Sequence, residues 1–314
     1  MLIDRLRTSA VLILVVAALL HADAHWSMPG CEGLWLLPLL FFFALGTTAD
    51  LCGLLAASGH DVARRDTMIA TGLVTGAAAI PLAWPIFGAT YPADCPVGRL
   101  GWIVIAGVGA TFLILIAEMN RYAAGKKGTI ERTSAAIFMS LYVGLPMALL
   151  VSLRMMGSGN WGLAALLTMI ATTKSADAGA YFSGKAFGKH KLVPRLSPGK
   201  TRQGAVGGIV TATIVAFACL QWLFPLIADG ASGPVSAPSI PGLDTSIGGA
   251  LLLGPLLAIA GMIGDLAESL IKRAAGAKDS GSLLPGLGGV WDVTDSLIAA
   301  VMPAFLCFAA GVGS

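Results

Sequence analysis

The sequence is poor in charge. Asp, Glu, Lys and Arg make up only 12% of its 314 residues, whereas about 25% is usual in soluble domains. Hydrophobic residues make up 56%, and the mean hydropathy is +0.82. So few charges exclude an ordinary soluble domain and indicate a protein that folds in a lipid bilayer. The net charge of +3 says little about partners, and we expect no nucleic-acid partner.

Cysteine and histidine are also scarce, with five and four copies. Their spacing excludes a zinc site built from cysteine and histidine. Cys52, Cys219 and Cys307 lie in apolar segments, where a thiol is usually a small core residue. Cys31 and Cys95 fall in predicted exterior loops, so a disulfide between them is an open alternative.

The sequence contains no soluble βαβ unit, and neither of its glycine-rich runs follows a predicted strand. A soluble dinucleotide-binding fold is therefore excluded. No polar segment is long enough to bury a core of its own. We therefore predict a single membrane domain over residues 1–314, with scaffold helices mainly in 1–120 and the chemically active helices and loops in 121–314.

Long apolar runs are abundant. A helix that spans a bilayer needs about 20 apolar residues, and the predicted fold class is all-α and polytopic, with nine spans. The candidate spans are 8–23, 34–58, 67–88, 99–119, 134–154, 160–182, 204–227, 247–271 and 294–312.

The positive charges predict an orientation. With the N-terminus in the cytoplasm, all 20 Lys and Arg residues except Arg99, Arg154 and Lys174 fall in cytoplasmic loops, as the positive-inside rule requires. Nine spans then place the C-terminus outside. An alternative is that residues 1–24 are a cleavable signal peptide, which would leave eight spans and keep every later loop on the same side.

The densest polar run lies between Ser269 and Asp295 and reads SLIKRAAGAKDSGSLLPGLGGVWDVTD. Charge at the edge of a membrane core is costly, so its clustering favours a chemical role. Glycines let the backbone approach a phosphate, and cations hold its oxygens. Carboxylates can bind the metal ion that neutralises the remaining charge.

Polar residues also form one stripe on the predicted eighth helix. Asp265, Glu268, Ser269 and Lys272 are spaced at three and four residues and share a face. An intrahelical Glu268–Lys272 ion pair is the simple alternative, but it leaves Asp265 unexplained. A carboxylate in an apolar helix is a candidate functional group.

Two further carboxylates, Asp292 and Asp295, begin the last predicted span. Three residues apart on a helix, they could hold a hard cation together with Asp265. The alternative is helix N-capping, because acidic side chains favour that end. Capping would explain one of the two better than both.

Two more polar runs lie at the end of the predicted sixth span and just before the predicted seventh span. In the first, Lys174 and Asp177 are three residues apart and could simply neutralise each other. In the second, Ser197, Lys200 and Thr201 precede a predicted helix, whose unpaired N–H groups would favour an anion. The alternative is a basic loop that contacts anionic lipid headgroups.

The run from Ser269 to Asp295 resembles the signature of the phosphatidate cytidylyltransferase (CDP-diglyceride synthase) family. That signature reads Ser-x-hydrophobic-Lys-Arg, four residues, Lys-Asp, then Pro-Gly-His-Gly-Gly and Asp-Arg-x-Asp. The segments 177–189 and 197–208 are similar to two other family patterns. The chain departs at Leu287, where the family has histidine, at Val293, where it has arginine, and at Gln203, where it has glutamate.

The resemblance implies an integral membrane nucleotidyltransferase that converts CTP and phosphatidic acid to CDP-diacylglycerol and pyrophosphate for phospholipid biosynthesis. It implies a Mg²⁺ requirement, with room for a second cation, and a homodimer. The predicted location is the inner (plasma) membrane, and the orientation predicted from the positive charges makes the active site face the cytoplasm.

The resemblance also implies site residues. The predicted metal ligands are Asp265, Glu268, Asp292 and Asp295. The predicted catalytic residues are Asp265, Asp292, Asp295, Lys200 and Lys272. The predicted substrate-binding residues are Asp177, Lys185, Ser197, Thr201, Ser269, Arg273, Lys278, Asp279, Gly288 and Gly289.

Two alternatives remain open at this point. One is a related CTP-dependent enzyme that uses another lipid phosphate as acceptor. The other is a lipid-binding scaffold or transporter that has lost catalysis. The presence of every predicted acidic ligand argues against lost catalysis, because a buried carboxylate without a metal is costly.

Overall fold

The structure is a computed structural model, and it describes residues 2–123, 128–234, 240–277, 279–281, 283–286 and 288–313. Of residues 2–6 only the backbone is described. Lys278 and Leu287 lie outside the described residues.

Eleven helices and one short hairpin make up the described part of the chain, which confirms the all-α fold class. Two 3-10 turns, at Leu34–Leu36 and Ile80–Leu82, and a π-helical segment at Cys219–Leu223 interrupt or extend the α-helices. The elements are α1 (Leu2–Trp26), α2 (Leu37–Ala57), α3 (Arg64–Ala77), α4 (Ala83–Ile86), α5 (Gly98–Arg121), α6 (Thr129–Arg154), α7 (Trp161–Phe187), β1 (Lys191–Val193), β2 (Ser197–Thr201), α8 (Arg202–Ala218), α9 (Phe224–Ala228), α10 (Ser246–Ala274) and α11 (Trp291–Ala309).

Seven helices of the described chain are long and apolar enough to cross a membrane, or eight if the bent pair Arg64–Ala77 and Ile80–Ile86 forms one span. The 27-residue helix α7 is not among them; Lys174 lies at its middle, and Asp177 and Lys185 lie in its second half. The count of nine spans and the orientation of the termini stay predictions. The seven are Arg7–Trp26, Leu34–Ala57, Gly98–Arg121, Thr129–Arg154, Arg202–Ala228, Ser246–Ala274 and Trp291–Ala309.

The chain divides into two compact units. Unit 1 comprises Met1–Ser152 and Ala274–Thr294, and unit 2 comprises Leu153–Arg273 and Asp295–Ser314. The prediction of a single domain with a division near residue 120 stays a prediction.

Unit 1 is held together by close helix packing and by buried polar contacts. Thr47 on α2 and Thr294 join their hydroxyls at 2.8 Å, and Thr48 donates to Thr71 on α3 at 3.2 Å. Such hydroxyl contacts are common between helices in membranes. Gly144 allows α6 to approach α3, because a Cβ there would lie 2.9 Å from Val74.

A partly buried ion-pair network joins the end of α5 to the start of α6. Arg132 donates from Nε to both carboxylate oxygens of Glu118, at 3.0 and 2.9 Å, and it also contacts Asp61. Arg121 contacts Asp66 and lies 3.3 Å from Glu118. The cations and carboxylates of the network therefore neutralise one another, which offsets part of the cost of burying Arg132 and Glu118.

The structure has Cys31 and Cys95 as free thiols, so it contains no disulfide between them. Cys31 is buried. Burial raises the pKa of its thiol, and the neighbouring charge of Glu32 adds to the effect. Cys31 is therefore a protonated core residue at neutral pH.

Unit 2 is built on the pair α7 and α8. Glycines form their interface: a Cβ at Gly208 would lie 2.9 Å from the carbonyl oxygen of Ala176, and one at Gly179 would overlap Thr211. Small residues let helices approach closely in this way. The hairpin of β1 and β2, which pairs Lys191 with Thr201, connects the two helices where sequence predicted a loop. It places its last residues at the N-terminus of α8.

Candidate functional site

Three carboxylates meet in unit 2. Asp265 and Glu268 lie one turn apart on α10, and Asp295 lies on α11. One oxygen from each lies within 4.8 Å of the others. Glu268 and Asp295 are buried, at 4% and 6% exposure, and Asp265 is more open. Gly264 permits this approach, because a Cβ there would overlap the backbone oxygen of Asp295.

Two lysines neutralise part of this carboxylate cluster. Lys200, near the end of β2, places Nζ 2.6 Å from Oδ2 of Asp265. Lys272 places Nζ 3.1 Å from Oε1 of Glu268. The intrahelical Glu268–Lys272 pair that the spacing suggested is therefore present, but Glu268 belongs to the carboxylate cluster as well.

The carboxylate cluster fits a hard divalent cation. Oxygen ligands from carboxylates are those that Mg²⁺ takes in proteins, usually one or two together with substrate phosphates. Three carboxylates against two ammonium groups leave one net negative charge, which a divalent ion would more than offset. Three of the four predicted metal ligands, Asp265, Glu268 and Asp295, are thus brought together.

A second charged pair lies on α7. Lys174 donates from Nζ to Oγ of Ser296 at 2.8 Å and lies 3.8 Å from Oδ2 of Asp177. Asp177 also experiences the charges of Asp265 and Lys200. The Lys174–Asp177 pair that the spacing suggested is present. It is close enough to the carboxylate cluster to interact with the charges there.

A cavity of about 410 Å³ opens beside Asp265. This volume lies within the range of about 300–1,000 Å³ that ligand clefts usually have. Its wall contains polar and charged residues that the sequence predicted for the site, and Leu192 and Met262 supply apolar surface. Six predicted site residues line it: Asp177, Lys185, Ser197, Lys200, Thr201 and Asp265.

The N-terminus of α8 forms one wall of this cavity. Thr201 is the N-cap residue, and its hydroxyl accepts from the backbone N–H of Gly204 at 3.1 Å. Gly188 is required next to it, because a Cβ there would lie 2.8 Å from the Thr201 side chain. Thr201 is buried in this role. The capping bond fixes the direction of β2 and hence the position of Lys200.

Gln203 stabilises the turn that leads into the hairpin. Its side-chain oxygen accepts from the backbone N–H groups of Lys189 and His190 at 3.2 and 3.1 Å. Its amide nitrogen lies 2.9 Å from Nδ1 of His190. An amide serves all three contacts because it both accepts and donates. The position therefore has a structural use that needs no carboxylate charge.

The remaining predicted carboxylate, Asp292, lies in unit 1. Its Oδ2 accepts from the hydroxyl of Ser280 and the backbone N–H of Gly289, both at 2.7 Å. Gly288 exchanges backbone hydrogen bonds with Leu284 at 3.0 Å. The N–H groups of these two predicted substrate-binding glycines are thus engaged within the loop. Binding of metal by Asp292 and of phosphate by the glycines stays a prediction.

Sequence reasoning missed Asp50, a buried carboxylate on α2. It accepts from the backbone N–H of Trp291 at 3.1 Å. A Cβ at Gly289 would lie 2.5 Å from its Oδ2, and one at Gly281 would overlap it. Asp50 thus lies against Gly281 and Gly289, at both ends of the glycine-rich loop that precedes α11, and its hydrogen bond to Trp291 fixes the second end. The signal was an aspartate inside an apolar span, which is rarely without a function.

The other predicted site residues that the structure describes lie on α7, on α10 or just after α10. Ser269 is half-buried on α10, and Arg273 is exposed at its last turn. Lys185 and Asp279 are exposed. Lys278 lies outside the described residues.

Fold and site together define a class: a polytopic helical membrane protein with a carboxylate cluster beside a lysine-lined cavity, suited to a phosphate-bearing ligand. The sequence model of the Cytidylyltransferase family matches residues 3–310, and the chain belongs to this family. The family resemblance seen in the motifs is thereby confirmed.

Several similar proteins are named phosphatidate cytidylyltransferase. The one from Haemophilus influenzae is 43% identical over 147 residues, which are 47% of this chain and 46% of the relative. The one from Brucella suis is 39% identical over 175 residues, or 55% of each chain. The one from Bacillus subtilis is 34% identical over 199 residues, 63% of this chain and 66% of the relative. The chain thus spans about half the length of the first two relatives.

Proposed function

We propose that this protein is a phosphatidate cytidylyltransferase, which transfers CMP from CTP to phosphatidic acid and produces CDP-diacylglycerol and pyrophosphate. The observation that carries the proposal is the carboxylate cluster of Asp265, Glu268 and Asp295 beside a cavity lined by Lys185 and Lys200. The printed names of the relatives support the choice of CTP and phosphatidic acid.

The reaction exchanges one phosphorus–oxygen bond for another. A phosphate oxygen of the lipid attacks the α-phosphorus of CTP, and the bond from that phosphorus to the β-phosphate oxygen breaks. Pyrophosphate leaves with the electron pair of that bond. Such transfers depend on positioning and on charge neutralisation rather than on covalent catalysis by the protein.

The side chains of unit 2 can supply both the positioning and the charge neutralisation that the transfer needs. Lys200 and Lys185 line the cavity and would bind phosphate oxygens, while Ser197 would donate a hydrogen bond. Asp265, Glu268 and Asp295 would hold Mg²⁺. When bound, Mg²⁺ neutralises phosphate charge and polarises the phosphoryl group. Lys272 keeps Glu268 oriented through their ion pair.

Two of the three departures from the family signature are compatible with this chemistry. Attack by an ionised phosphate oxygen needs no strong general base, so leucine at position 287 in place of histidine is compatible with transfer. Gln203 has a defined structural role in the hairpin turn. We further propose that the site faces the cytoplasm from the inner membrane and that the protein works as a homodimer.

The test is a transfer assay with purified protein in detergent. CTP, MgCl₂ and phosphatidic acid are added, and CDP-diacylglycerol is measured by mass spectrometry. We expect product from the wild type, none after EDTA, and none from Asp295→Asn. The matched control is Asp94→Asn, which changes an exposed loop carboxylate in the same way and should keep full activity.

A panel of other lipid phosphates belongs to the same experiment. If product forms with one of these lipids and not with phosphatidic acid, that lipid replaces phosphatidic acid as the proposed acceptor. No product from a folded wild type with any acceptor, beside a working control enzyme, would refute the proposal and favour a lipid-binding scaffold.

A further inference from the structure

Lys174 is a charged residue in the middle of α7, outside the set that sequence assigned to the site. It is the fourteenth residue of a helix that runs from Trp161 to Phe187, and its side chain is 39% exposed. Thr172 and Thr173 before it and Ala176 after it are buried. A cation at such a place is costly unless it has a charge to balance.

The contacts of Lys174 point to that charge. Its Nζ donates to Ser296 at 2.8 Å, and Ser296 directly follows the cluster residue Asp295. Helices α7, α10 and α11 meet here, because a Cβ at Gly261 would lie 3.3 Å from Thr173 and 3.6 Å from Ser296. On its other side Lys174 lies 3.8 Å from Asp177.

The charges around the carboxylate cluster and its cavity balance only with Lys174 included. Four carboxylates, Asp177, Asp265, Glu268 and Asp295, face the ammonium groups of Lys174, Lys200 and Lys272. Lys185 in the cavity wall supplies a fourth ammonium group, so no net charge remains. Without Lys174 there would be one net negative charge, which would attract cations more strongly and repel a triphosphate.

We propose that Lys174 is a positioning residue that sets the charge balance of the site. Its positive charge lowers the affinity of the site for divalent cations and raises the affinity of the site for phosphate. The inference rests on the proposed function and extends it to a residue with no assigned role. Lys174 acts through Asp177 and Ser296, and it need not touch the substrate.

This role predicts that loss of the Lys174 charge changes the affinities for Mn²⁺ and for CTP in opposite directions. Lys174→Gln keeps a hydrogen-bond donor for Ser296 but removes the charge. We expect it to tighten Mn²⁺ binding roughly threefold to tenfold and to raise the KM for CTP by about tenfold, as expected for one charge a few ångströms away in a partly screened site. Lys174→Arg keeps the charge and should restore both values toward the wild type.

The experiment measures Mn²⁺ binding by electron paramagnetic resonance on purified protein without substrates, and separately the KM for CTP in the transfer assay. Lys191→Met, which removes an exposed charge on β1, is the matched control and should leave Mn²⁺ binding unchanged. Lys174→Met is a second neutral variant, should Lys174→Gln fail to elute as a folded protein.

The outcomes separate the inference from the proposed function. Neutral variants that bind Mn²⁺ more tightly and CTP more weakly support it. Neutral variants that weaken both ligands, or leave Mn²⁺ binding unchanged, overturn it, as does failure of Lys174→Arg to restore the values. A wild type that binds neither Mn²⁺ nor CTP refutes the proposed function itself.

Discussion

Outside the arginine network of unit 1, the two units place carboxylates in different surroundings. In unit 1, Asp50 and Asp292 accept hydrogen bonds from backbone N–H groups and a hydroxyl. In unit 2, Asp265, Glu268 and Asp295 face one another and two lysines. The same chemical group therefore organises a loop in one unit and forms a candidate cation site in the other.

The two kinds of site differ in the groups that contact the carboxylates. Neutral N–H and O–H donors satisfy a single carboxylate and hold it in place, and such charge-assisted hydrogen bonds are strong. Carboxylates that lie next to one another repel, and lysines offset only part of that repulsion. A site of the second kind gains from a divalent cation, whereas a site of the first kind does not need one.

The largest expected effect comes from the carboxylate cluster. Asp265→Asn removes a charge that Lys200 pairs with at 2.6 Å. We expect transfer activity to fall at least about 100-fold, because even residues behind metal ligands change activity 10–100-fold. Binding of phosphatidic acid, followed by co-sedimentation with vesicles, should persist. Unchanged turnover would remove Asp265 from the catalytic set.

A large effect of another kind is expected in unit 1. Asp50→Ala leaves the N–H of Trp291 without its acceptor and opens space beside Gly281 and Gly289. Loss of a hydrogen bond to a charged group costs about 1.5–3 kcal/mol, so the midpoint of thermal unfolding in detergent should fall. Mn²⁺ affinity should not change. A change in Mn²⁺ affinity without loss of stability would erase the contrast between the two units.

An intermediate effect is expected at the edge of the cavity. Lys200→Met should raise the KM for CTP by about tenfold or more, because hydrogen bonds between charged groups contribute about 1.5–3 kcal/mol. Lys200→Arg keeps the charge and should recover part of the affinity. Steady-state kinetics with varied CTP measure both. Equal KM values in all three proteins would contradict phosphate binding by Lys200.

The smallest effect is expected at Gln203. In Gln203→Glu a carboxylate can still accept from the N–H groups of Lys189 and His190, and an Nδ1–H of the His190 ring can donate to it. Activity should therefore stay within about threefold of the wild type, a change of under 1 kcal/mol. A tenfold gain would instead show that a carboxylate at this position takes part in the reaction.

Sequence predicted those parts of the site that depend on spacing within one helix. The stripe of Asp265, Glu268 and Lys272 follows from helix periodicity, and the Glu268–Lys272 and Lys174–Asp177 pairs follow from separations of four and three residues. The all-helical membrane class follows equally from the long apolar runs.

Contacts between distant segments could not be predicted in this way. The ion pair of Lys200 with Asp265 joins β2 to α10, and the bond of Asp50 to Trp291 joins residues 241 positions apart. No local pattern encodes either contact. The roles of Gly288 and Gly289 also depend on the loop closing on Asp292, which turn preferences alone do not specify.

The most direct test of the account is the Mg²⁺ requirement of CMP transfer in Glu268→Gln. Glu268 is buried in the carboxylate cluster and keeps its shape as glutamine, so only its charge is lost. The account predicts that half-maximal activity will need at least about tenfold more Mg²⁺, in line with the weakening seen when the surroundings of a metal are altered. An unchanged Mg²⁺ dependence at full activity would contradict the assignment of this cluster as the metal site.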